Sequence, residues 1–116
     1  IQCYDPAIPE FADDPIPMQM CAVIDVLEHI EPECLDAVLD DLKRCTGAVG
    51  IFTICTRAAA KTLTDGRNAH LIQKPLEWWL PKLWERFDLQ TVQKMGDDDF
   101  YVIGYAKPAP LIERTH

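Results

Sequence analysis

The sequence lacks three features that would assign its class at once: a long apolar run, a paired cysteine motif and a cluster of glycines. No stretch of about 18 apolar residues occurs, which excludes a membrane-spanning helix. The five cysteines contain no C-x-x-C pair and are odd in number, which argues against a zinc ribbon or a disulfide framework. The five glycines form no G-x-G-x-G turn. At 116 residues, with 48% hydrophobic and 26% charged residues, the chain matches one ordinary globular domain.

The cysteines occupy positions where thiols are expected to be buried and reduced. Cys21 and Cys55 lie in apolar runs typical of strands, whereas Cys34 and Cys45 lie in an amphipathic helical pattern. Free cysteine is among the most buried residue types, and reduced thiols are typical of cytosolic proteins. The sequence therefore predicts buried, reduced thiols and a cytoplasmic location.

The net charge of −8 is unevenly distributed along the chain. Residues 1–50 hold 11 acids and 2 bases, a charge of −9, whereas residues 51–116 hold 9 bases and 8 acids, a charge of +1. An acidic surface repels nucleic acid, so phosphate binding by the whole chain is not expected. The six bases from Arg57 to Arg86 form a locally basic segment. This segment is either an ordinary solvated loop or the part of the chain that faces an anionic substrate.

The hydrophobic pattern predicts alternating strands and helices. The predicted strands are a tail at 1–4 and strands at 18–26, 48–55, 89–95 and 100–106, the last two around an acidic turn. The predicted helices run from Pro32 to about Thr46 and from 76 to 87, and Pro81 should kink or divide the second one. Residues 56–74 form a long polar connection, which is uncommon inside a compact domain and often functional. The alternation predicts an α/β sheet that is mostly parallel, with an antiparallel carboxyl-terminal hairpin.

Polar residues follow several of the predicted strands. Asp5, the group from Asp25 to His29, and the pair Thr56-Arg57 all stand at carboxyl ends of strands. In open α/β sheets ligands bind beyond these ends. The sequence therefore predicts a site along this rim of the sheet.

Two segments of the chain resemble a known family. The stretch VIDVLEHIEPECLDAVLDDLKRC, followed by GAVGIFTICT, resembles the fourth strand, the next helix and the fifth strand of class I S-adenosylmethionine-dependent methyltransferases. FDLQTVQKMGDDDFYVIGYA resembles the antiparallel sixth and seventh strands of that fold. The resemblance covers residues 1–106 and implies a partial Rossmann-like methyltransferase sheet, with 107–116 as a loose tail. The first strand of the family and its glycine-rich turn have no counterpart in this sequence.

The resemblance implies a cofactor and the residues that bind it. The cofactor would be S-adenosylmethionine, with Asp5 accepting the ribose hydroxyls and Asp25 lying beside the methionine moiety. Val26 and Leu27 complete the implied cofactor-binding set. These residues belong to the strand ends that the sequence places at the rim.

The acceptor side of the cleft is implied by the same resemblance. The implied substrate-binding residues are Glu28, Arg57, Arg67 and Lys74. His29 and His70 are candidate general bases, because imidazole titrates near neutral pH. Methyl transfer from a sulfonium needs alignment more than it needs a base, so a structural role for either histidine stays open. The expected acceptor is a small molecule or the end of a nucleic acid.

Two acids and two histidines also raise the question of a divalent metal. The spacing of Asp25, Glu28 and His29, followed by His70, is similar to that of the small-RNA 2′-O-methyltransferases. Oxygen and imidazole ligands suit Mn²⁺, Fe²⁺ or Mg²⁺. Because many metal-free members of the superfamily carry the same Glu-His turn, a site without metal is the favoured expectation.

Two functional hypotheses follow from these observations. The first is a methyltransferase domain whose glycine-rich part lies outside this sequence. The second is a non-catalytic remnant that acts as an interaction or assembly module, which the missing glycine turn favours. In both, the sheet edge left by the missing first strand would invite another chain, so we expect a homodimer. Neither hypothesis involves a membrane.

Overall fold

The computed structural model describes residues 2, 4, 7–14 and 16–108, and these ranges contain four strands and two α-helices. The strands are β1 (Met18–Ile24), β2 (Thr46–Cys55), β3 (Phe87–Lys94) and β4 (Asp99–Ala106), and the helices are α1 (Leu35–Cys45) and α2 (Leu76–Trp84). Short 3-10 turns occupy Pro9–Phe11, Leu27–His29 and Pro32–Cys34. Residues 109–116 of the predicted tail lie outside the described residues. So does part of the predicted strand at 1–4, of which Gln2 and Tyr4 belong to no strand.

The four strands form one open sheet in the order β1-β2-β4-β3. β1 and β2 are parallel, whereas β4 is antiparallel to both of its neighbours. The α/β class and the antiparallel hairpin are therefore confirmed. The prediction of a mostly parallel sheet is wrong, because β4 lies between β2 and β3 and contributes two antiparallel pairs. A partial α/β sheet of this kind does not by itself identify a Rossmann-like family.

The helix that connects the two parallel strands forms where the sequence predicts it. Pro32 opens the 3-10 turn before α1, where its missing N–H leaves no bond unmade. Apolar residues at helical spacing then place Leu35 and Leu39 on a buried face, while the acids of α1 stay exposed. This arrangement packs α1 against β1 and β2.

α1 passes into β2 without an intervening loop, since Cys45 ends the helix and Thr46 begins the strand. The Thr46 hydroxyl donates to the Leu42 carbonyl at 2.7 Å, which satisfies one of the terminal carbonyls of the helix. The predicted end of the helix is thus confirmed, while β2 begins two residues before its predicted start at Ala48.

α2 continues through Pro81 as one helix, so the predicted division does not occur. Proline costs a helix interior about 3 kcal/mol. Burial of a large apolar side chain contributes about 1.5–3 kcal/mol, and both Trp79 and Leu83 are fully buried on this helix. Their burial offsets the missing hydrogen bond. In the described ranges, neither α-helix reaches the length and apolar character needed to cross a membrane.

Arg86 joins the end of α2 to α1. Its side chain is buried, and Nε donates to the Asp40 carboxylate at 2.7 Å. A terminal nitrogen lies 3.4 Å from the Asp36 carboxylate, and another donates to the Lys82 carbonyl at 3.1 Å. Because both acids belong to α1, these contacts hold the two helices side by side over one face of the sheet. The core between the helices and the sheet contains Val23, Leu35, Leu39, Phe52, Ile54, Trp79, Leu83, Phe87, Phe100 and Val102.

Two glycines that face each other in the sheet make room for two aromatic rings. Gly50 of β2 pairs with Gly104 of β4. A Cβ added at Gly50 would lie 2.7 Å from the Phe52 ring, and one added at Gly104 would lie 3.1 Å from the Phe87 Cβ. The two rings are fully buried and meet edge to face, with centroids 4.8 Å apart. The absence of side chains at Gly50 and Gly104 therefore leaves room on the sheet for the rings of Phe52 and Phe87.

The opposite face of the sheet carries exposed apolar side chains near β1. Val23 pairs with the buried Phe52, so the alternation of side chains turns Met20 and Ile24 to the other face. These two side chains are 56% and 53% exposed. β1 is an edge strand without a charged residue, whereas β3, at the other edge, has polar or charged residues at five of its eight positions.

We predict that Gly50→Ala lowers the free energy of unfolding by about 1–3 kcal/mol, the usual cost of overpacking, because the added methyl meets the Phe52 ring. Phe52→Leu removes that ring. The double variant should therefore lose less stability than the sum of the two single losses. Urea unfolding followed by circular dichroism measures all three variants. Additive losses would contradict the contact between Gly50 and Phe52.

Candidate functional site

A cleft of about 360 Å³ lies where β1 and β2 end and β4 begins. Since β1 and β2 are parallel, their carboxyl ends share one edge of the sheet, and the antiparallel β4 starts at the same edge. The cleft is lined by Ile24, Asp25, Glu28, Thr53, Cys55, Arg57, His70, Met95 and Asp99. Four residues singled out from the sequence, Asp25, Glu28, Arg57 and His70, thus meet at the predicted rim.

Asp25 has an unfavourable backbone conformation just beyond β1. Its φ of 52° is the one positive value at a non-glycine residue in the described part of the chain. The left-handed region costs most residues about 1–2 kcal/mol, and after glycine it is Asn and Asp that tolerate it best. The Thr53 hydroxyl accepts the Asp25 N–H at 3.0 Å and donates to the Asp25 carboxylate at 2.9 Å. Backbone strain that neighbouring groups hold in this way clusters at functional sites.

Glu28 is fully buried at the base of the cleft, on the 3-10 turn that follows β1. Its Oε2 accepts the Cys55 N–H at 2.9 Å, and its carbonyl accepts the Ile72 N–H at 3.0 Å. Its Oε1 has no hydrogen-bond partner among the described residues. A buried polar atom without a partner is costly, and it is a natural contact for the donor group of a ligand or for a cation.

His29 and His70 lie against each other, and backbone carbonyls hold both rings. The ring centroids are 4.7 Å apart and the ring planes are 82° apart. Nδ1 of His29 lies 3.0 Å from the Ala69 carbonyl, and Nδ1 of His70 lies 2.7 Å from the Arg57 carbonyl. A carbonyl only accepts, so Nδ1 carries a proton in each ring and Nε2 of the neutral ring keeps a lone pair. This tautomer suits a general base or a metal ligand.

Cys55 and Asp99 bring β2 and β4 into the cleft, where they are register partners. Burial raises the pKa of the Cys55 thiol, and the neighbouring Asp99 carboxylate raises it further. The thiol is therefore protonated at neutral pH and is a poor nucleophile. Asp99 also forms an exposed ion pair with Arg57, with 3.3 Å between nitrogen and oxygen.

Three side chains of the cleft lie close enough together that they could hold a metal ion. Glu28, Cys55 and His70 each offer one ligand atom, and these three atoms lie within 4.8 Å of one another. Of the four residues that the sequence suggests as metal ligands, this group contains two, while Asp25 bonds to Thr53 and His29 packs against His70.

The long connection between β2 and α2 is held by its own hydrogen bonds. The Asn68 side chain accepts the N–H groups of Ala59 and His70, both at 2.9 Å, and donates to the Ala59 carbonyl at 2.9 Å. Thr62 and Asn68 also form an isolated β-bridge. These contacts fix the position of His70 in the cleft.

Arg67 ties the tip of this connection to the turn before α1. Its guanidinium donates to both carboxylate oxygens of Glu31, at 2.8 and 2.7 Å, and to Asp65 at 2.8 Å. These hydrogen bonds lower the pKa of both carboxyl groups and raise the pKa of Arg67. Arg67, which the resemblance implies as a substrate contact, is thus bonded to two carboxylates and does not line the cleft.

Other residues implied by the resemblance also lie outside the cleft lining. Leu27 is fully buried in the hydrophobic core, and Val26 is exposed beside it. Lys74 is exposed, and its carbonyl accepts the Trp79 indole N–H at 3.1 Å. Asp5, the implied ribose contact, lies outside the described residues.

The cleft also contains five side chains that sequence patterns do not single out as site residues, namely Ile24, Thr53, Cys55, Met95 and Asp99. Cys55 is predicted only as a buried thiol, and Asp99 only as part of an acidic turn. The one feature that would have indicated Cys55 and Asp99 as site residues is the register between β2 and β4, which places them opposite each other. That register follows from the insertion of β4 beside β2, which local patterns do not reveal.

Three carboxylates make the cleft acidic. Asp25, Glu28 and Asp99 line it together with a single guanidinium, that of Arg57, and one imidazole. A concave surface lined mainly by one sign of charge attracts the opposite sign. The cleft therefore suits a ligand with a cationic group better than a purely anionic one.

No protein-family model and no curated protein matches the sequence. Among solved structures, the chain is similar to the PH0226 protein from Pyrococcus horikoshii OT3, with a TM-score of 0.61 and 12% sequence identity. The superposition covers 81% of this chain and 54% of that protein, so the chain spans about half of the neighbour's length. At this identity the likeness shows a shared fold only.

We predict that Asp25→Ala lowers the free energy of unfolding by about 1–2 kcal/mol, because alanine tolerates the left-handed backbone poorly and cannot accept the Thr53 hydroxyl. Asp25→Asn keeps both properties and should cost clearly less. Asp97→Ala, in the exposed turn before β4, is the control and should stay within about 0.5 kcal/mol. Chemical unfolding measures the three variants. Equal losses for the two Asp25 variants would contradict the role given to this backbone.

Proposed function

We propose that the chain is part of an S-adenosylmethionine-dependent methyltransferase whose acceptor is unknown. The observation that carries the proposal is the turn from Asp25 to His29 at the carboxyl end of β1, where the backbone of Asp25 is unfavourable. The resemblance to class I methyltransferases implies the methionine moiety of the cofactor beside this turn. A conformation that costs free energy persists where the surrounding structure holds it in place, often for binding.

The charge of the cleft supports a cationic cofactor. S-adenosylmethionine carries a sulfonium and an ammonium group, and when bound it supplies an electrophilic methyl group. Asp25 at the mouth and the unpartnered oxygen of Glu28 are acceptors for such cations. In this proposal Asp25 and Val26 bind the methionine moiety, Leu27 supports them from the core, and Asp5 accepts the ribose hydroxyls.

The two histidines supply the proton chemistry in this proposal. Nε2 of His70 accepts a proton from the hydroxyl or amine of the acceptor as the methyl group is transferred. His29, whose ring lies against that of His70, orients it. Both rings present the correct tautomer, because their Nδ1 protons are bonded to carbonyls.

The acceptor is proposed to be a small molecule or a nucleic-acid end. Arg57 is the positively charged side chain that lines the cleft, so it is proposed as the first contact for a negatively charged group of the acceptor. Its guanidinium is exposed and only loosely paired with Asp99 at 3.3 Å. Glu28 lies at the base of the cleft. Arg67 and Lys74 do not line it, and Arg67 would have to leave Glu31 and Asp65 to contact an acceptor.

Calorimetric titration of the 116-residue chain with S-adenosylhomocysteine tests cofactor binding. We expect micromolar affinity, weakened about tenfold in Asp25→Asn, because the substitution removes the charge that pairs with the ligand ammonium. Asp97→Asn removes a charge outside the cleft and should leave the Kd unchanged. An absence of heat at millimolar ligand would reject cofactor binding by these residues alone. Equal affinity for the two variants would reject the role of Asp25.

A second proposal is an assembly module in which two copies pair through β1. The observation that favours it is the contrast between the two sheet edges: β1 carries no charge and exposes Met20 and Ile24, whereas β3 is mostly polar. An unpaired edge without charge recruits another strand. Two β1 strands paired about a two-fold axis would join the four-stranded sheets of two copies into one.

Light scattering after size-exclusion chromatography tests this assembly. We expect a dimer for the natural sequence and a monomer for Met20→Lys, because a charge on an edge strand blocks pairing. Gln93→Lys puts the same charge on the β3 edge and should leave the dimer intact. A natural chain that stays monomeric at every concentration tested would reject the dimer, independently of the cofactor titration.

A cytoplasmic location is proposed from the state of the thiols. Cys21, Cys34 and Cys55 form no disulfide among the described residues, and reduced thiols are typical of the cytosol. Cys45 and Cys55 are buried as expected and Cys21 is half-buried, but Cys34 is exposed, so the prediction of burial is wrong for Cys34. Its position before α1 turns it away from the core.

A further inference from the structure

We propose that Glu28, Cys55 and His70 bind one divalent transition-metal ion of the zinc class at the base of the cleft. The three ligand atoms lie within 4.8 Å of one another. This set differs from the acid and histidine set suggested by the sequence, because the thiol of Cys55 takes the place of Asp25 and His29. The proposal goes beyond methyl transfer, since metal binding here requires neither S-adenosylmethionine nor an acceptor. A bound ion occupies Nε2 of His70 and Oε1 of Glu28, so it takes the place of the base role of His70 and of the cation-binding role of Glu28 given above.

The first argument is the unpartnered oxygen of Glu28. The side chain is 0% exposed, and Oε1 has no hydrogen-bond partner in the described part of the chain, although Oε2 accepts the Cys55 N–H. Leaving a buried carboxylate oxygen unsatisfied is expensive. A cation bound to Oε1 removes that cost, and Oε2 stays anchored to β2 through its hydrogen bond.

The second argument is the orientation of His70. Its Nδ1 donates to the Arg57 carbonyl at 2.7 Å, which leaves the lone pair on Nε2. Metal-binding histidines almost always donate their other ring N–H to a carbonyl, a carboxylate or water, because this fixes the tautomer and the direction of the ring. Asn68 holds the same residue through the His70 N–H at 2.9 Å. The His70 ring therefore has the hydrogen-bonding arrangement that is typical of a metal-binding histidine.

The third argument is the chemistry of the ligand set. A thiolate with an imidazole and a carboxylate suits Zn²⁺ and disfavours Mg²⁺ and Ca²⁺, which prefer oxygen ligands alone. Cys55 binds as the thiolate, and its proton passes to solvent on binding. Three protein ligands leave the fourth tetrahedral position of the ion open to the cleft, where a water molecule or a ligand can bind.

The geometry requires a modest contraction of the three side chains. Zinc bond lengths of about 2.0–2.3 Å in a tetrahedral arrangement place ligand atoms about 3.5 Å apart. The observed group, with separations of up to 4.8 Å, must therefore close by about 1 Å at its widest. Glu28 and His70 keep the hydrogen bonds that anchor them, so the movement comes from the Cys55 side chain at the end of β2 and from small shifts of the turn and the connection that carry the other two residues.

Cobalt substitution of the 116-residue chain tests the site directly. Addition of Co²⁺ should produce a thiolate-to-cobalt charge-transfer band that saturates at one ion per chain. Cys55→Ser should abolish the band, whereas Cys34→Ser, which removes an exposed thiol outside the cleft, should leave it unchanged. Circular dichroism confirms that each variant is folded. A natural chain without the band, or a band that survives in Cys55→Ser, would overturn the proposal.

Glu28→Gln keeps the size of the side chain and the thiol, so it tests the carboxylate separately. Loss of a contact in the shell around a metal ligand costs about 10–100-fold in affinity, and loss of a ligand should therefore weaken Zn²⁺ binding at least about tenfold. Competition with a chromogenic zinc chelator measures the change. Unchanged affinity in Glu28→Gln would remove Glu28 from the site and overturn the proposal. Neither readout depends on S-adenosylhomocysteine, so a failure here is distinct from a failure of the methyltransferase proposal.

Discussion

The hydrogen bonds of the buried residue Glu28 hold together the segments that form the cleft. Its side chain accepts the Cys55 N–H at the end of β2, while its carbonyl accepts the Ile72 N–H near the end of the long connection. The turn after β1, the end of β2 and the segment before α2 are therefore held by one residue. Because this residue is fully buried, any change in its charge or partners alters all three segments together.

Local patterns predict the elements well, because each depends on residues close in sequence. The apolar spacing in α1 and the β-branched run of β2 are such patterns, and both elements form as expected. The strand order depends on long-range pairing, so the insertion of β4 beside β2, and with it the mainly antiparallel sheet, was beyond those patterns. The continuity of α2 through Pro81 was missed for a similar reason, since tertiary burial of Trp79 outweighs the local preference.

In the candidate site, too, some residues could be predicted from the sequence around them, and others depend on strand pairing between distant parts of the chain. Asp25 and Glu28 could be chosen from the sequence because polar residues stand out at the end of an apolar run, whereas His70 was indicated by the resemblance to methyltransferases. Thr53 and Asp99 reach the cleft only through strand register. The local excess of bases was also a poor guide to the charge of the cleft, because Arg67 pairs with Glu31 and Asp65 and does not line the cleft. Counts of charge along a sequence do not include such pairing.

The direct junction between α1 and β2 determines which parts of the chain can change in length. With no linking residue between Cys45 and Thr46, an insertion there would shift β2 against β1, and a shift of one residue turns every side chain to the other face. Thr53 and Cys55 would then leave the cleft. The connection at 56–75 belongs to no strand register, and its exposed turn at Gly66 can accept added residues at little thermodynamic cost. Residues added at that turn would change the wall of the cleft near His70 and leave the length of the frame that holds Asp25 and Glu28 unchanged.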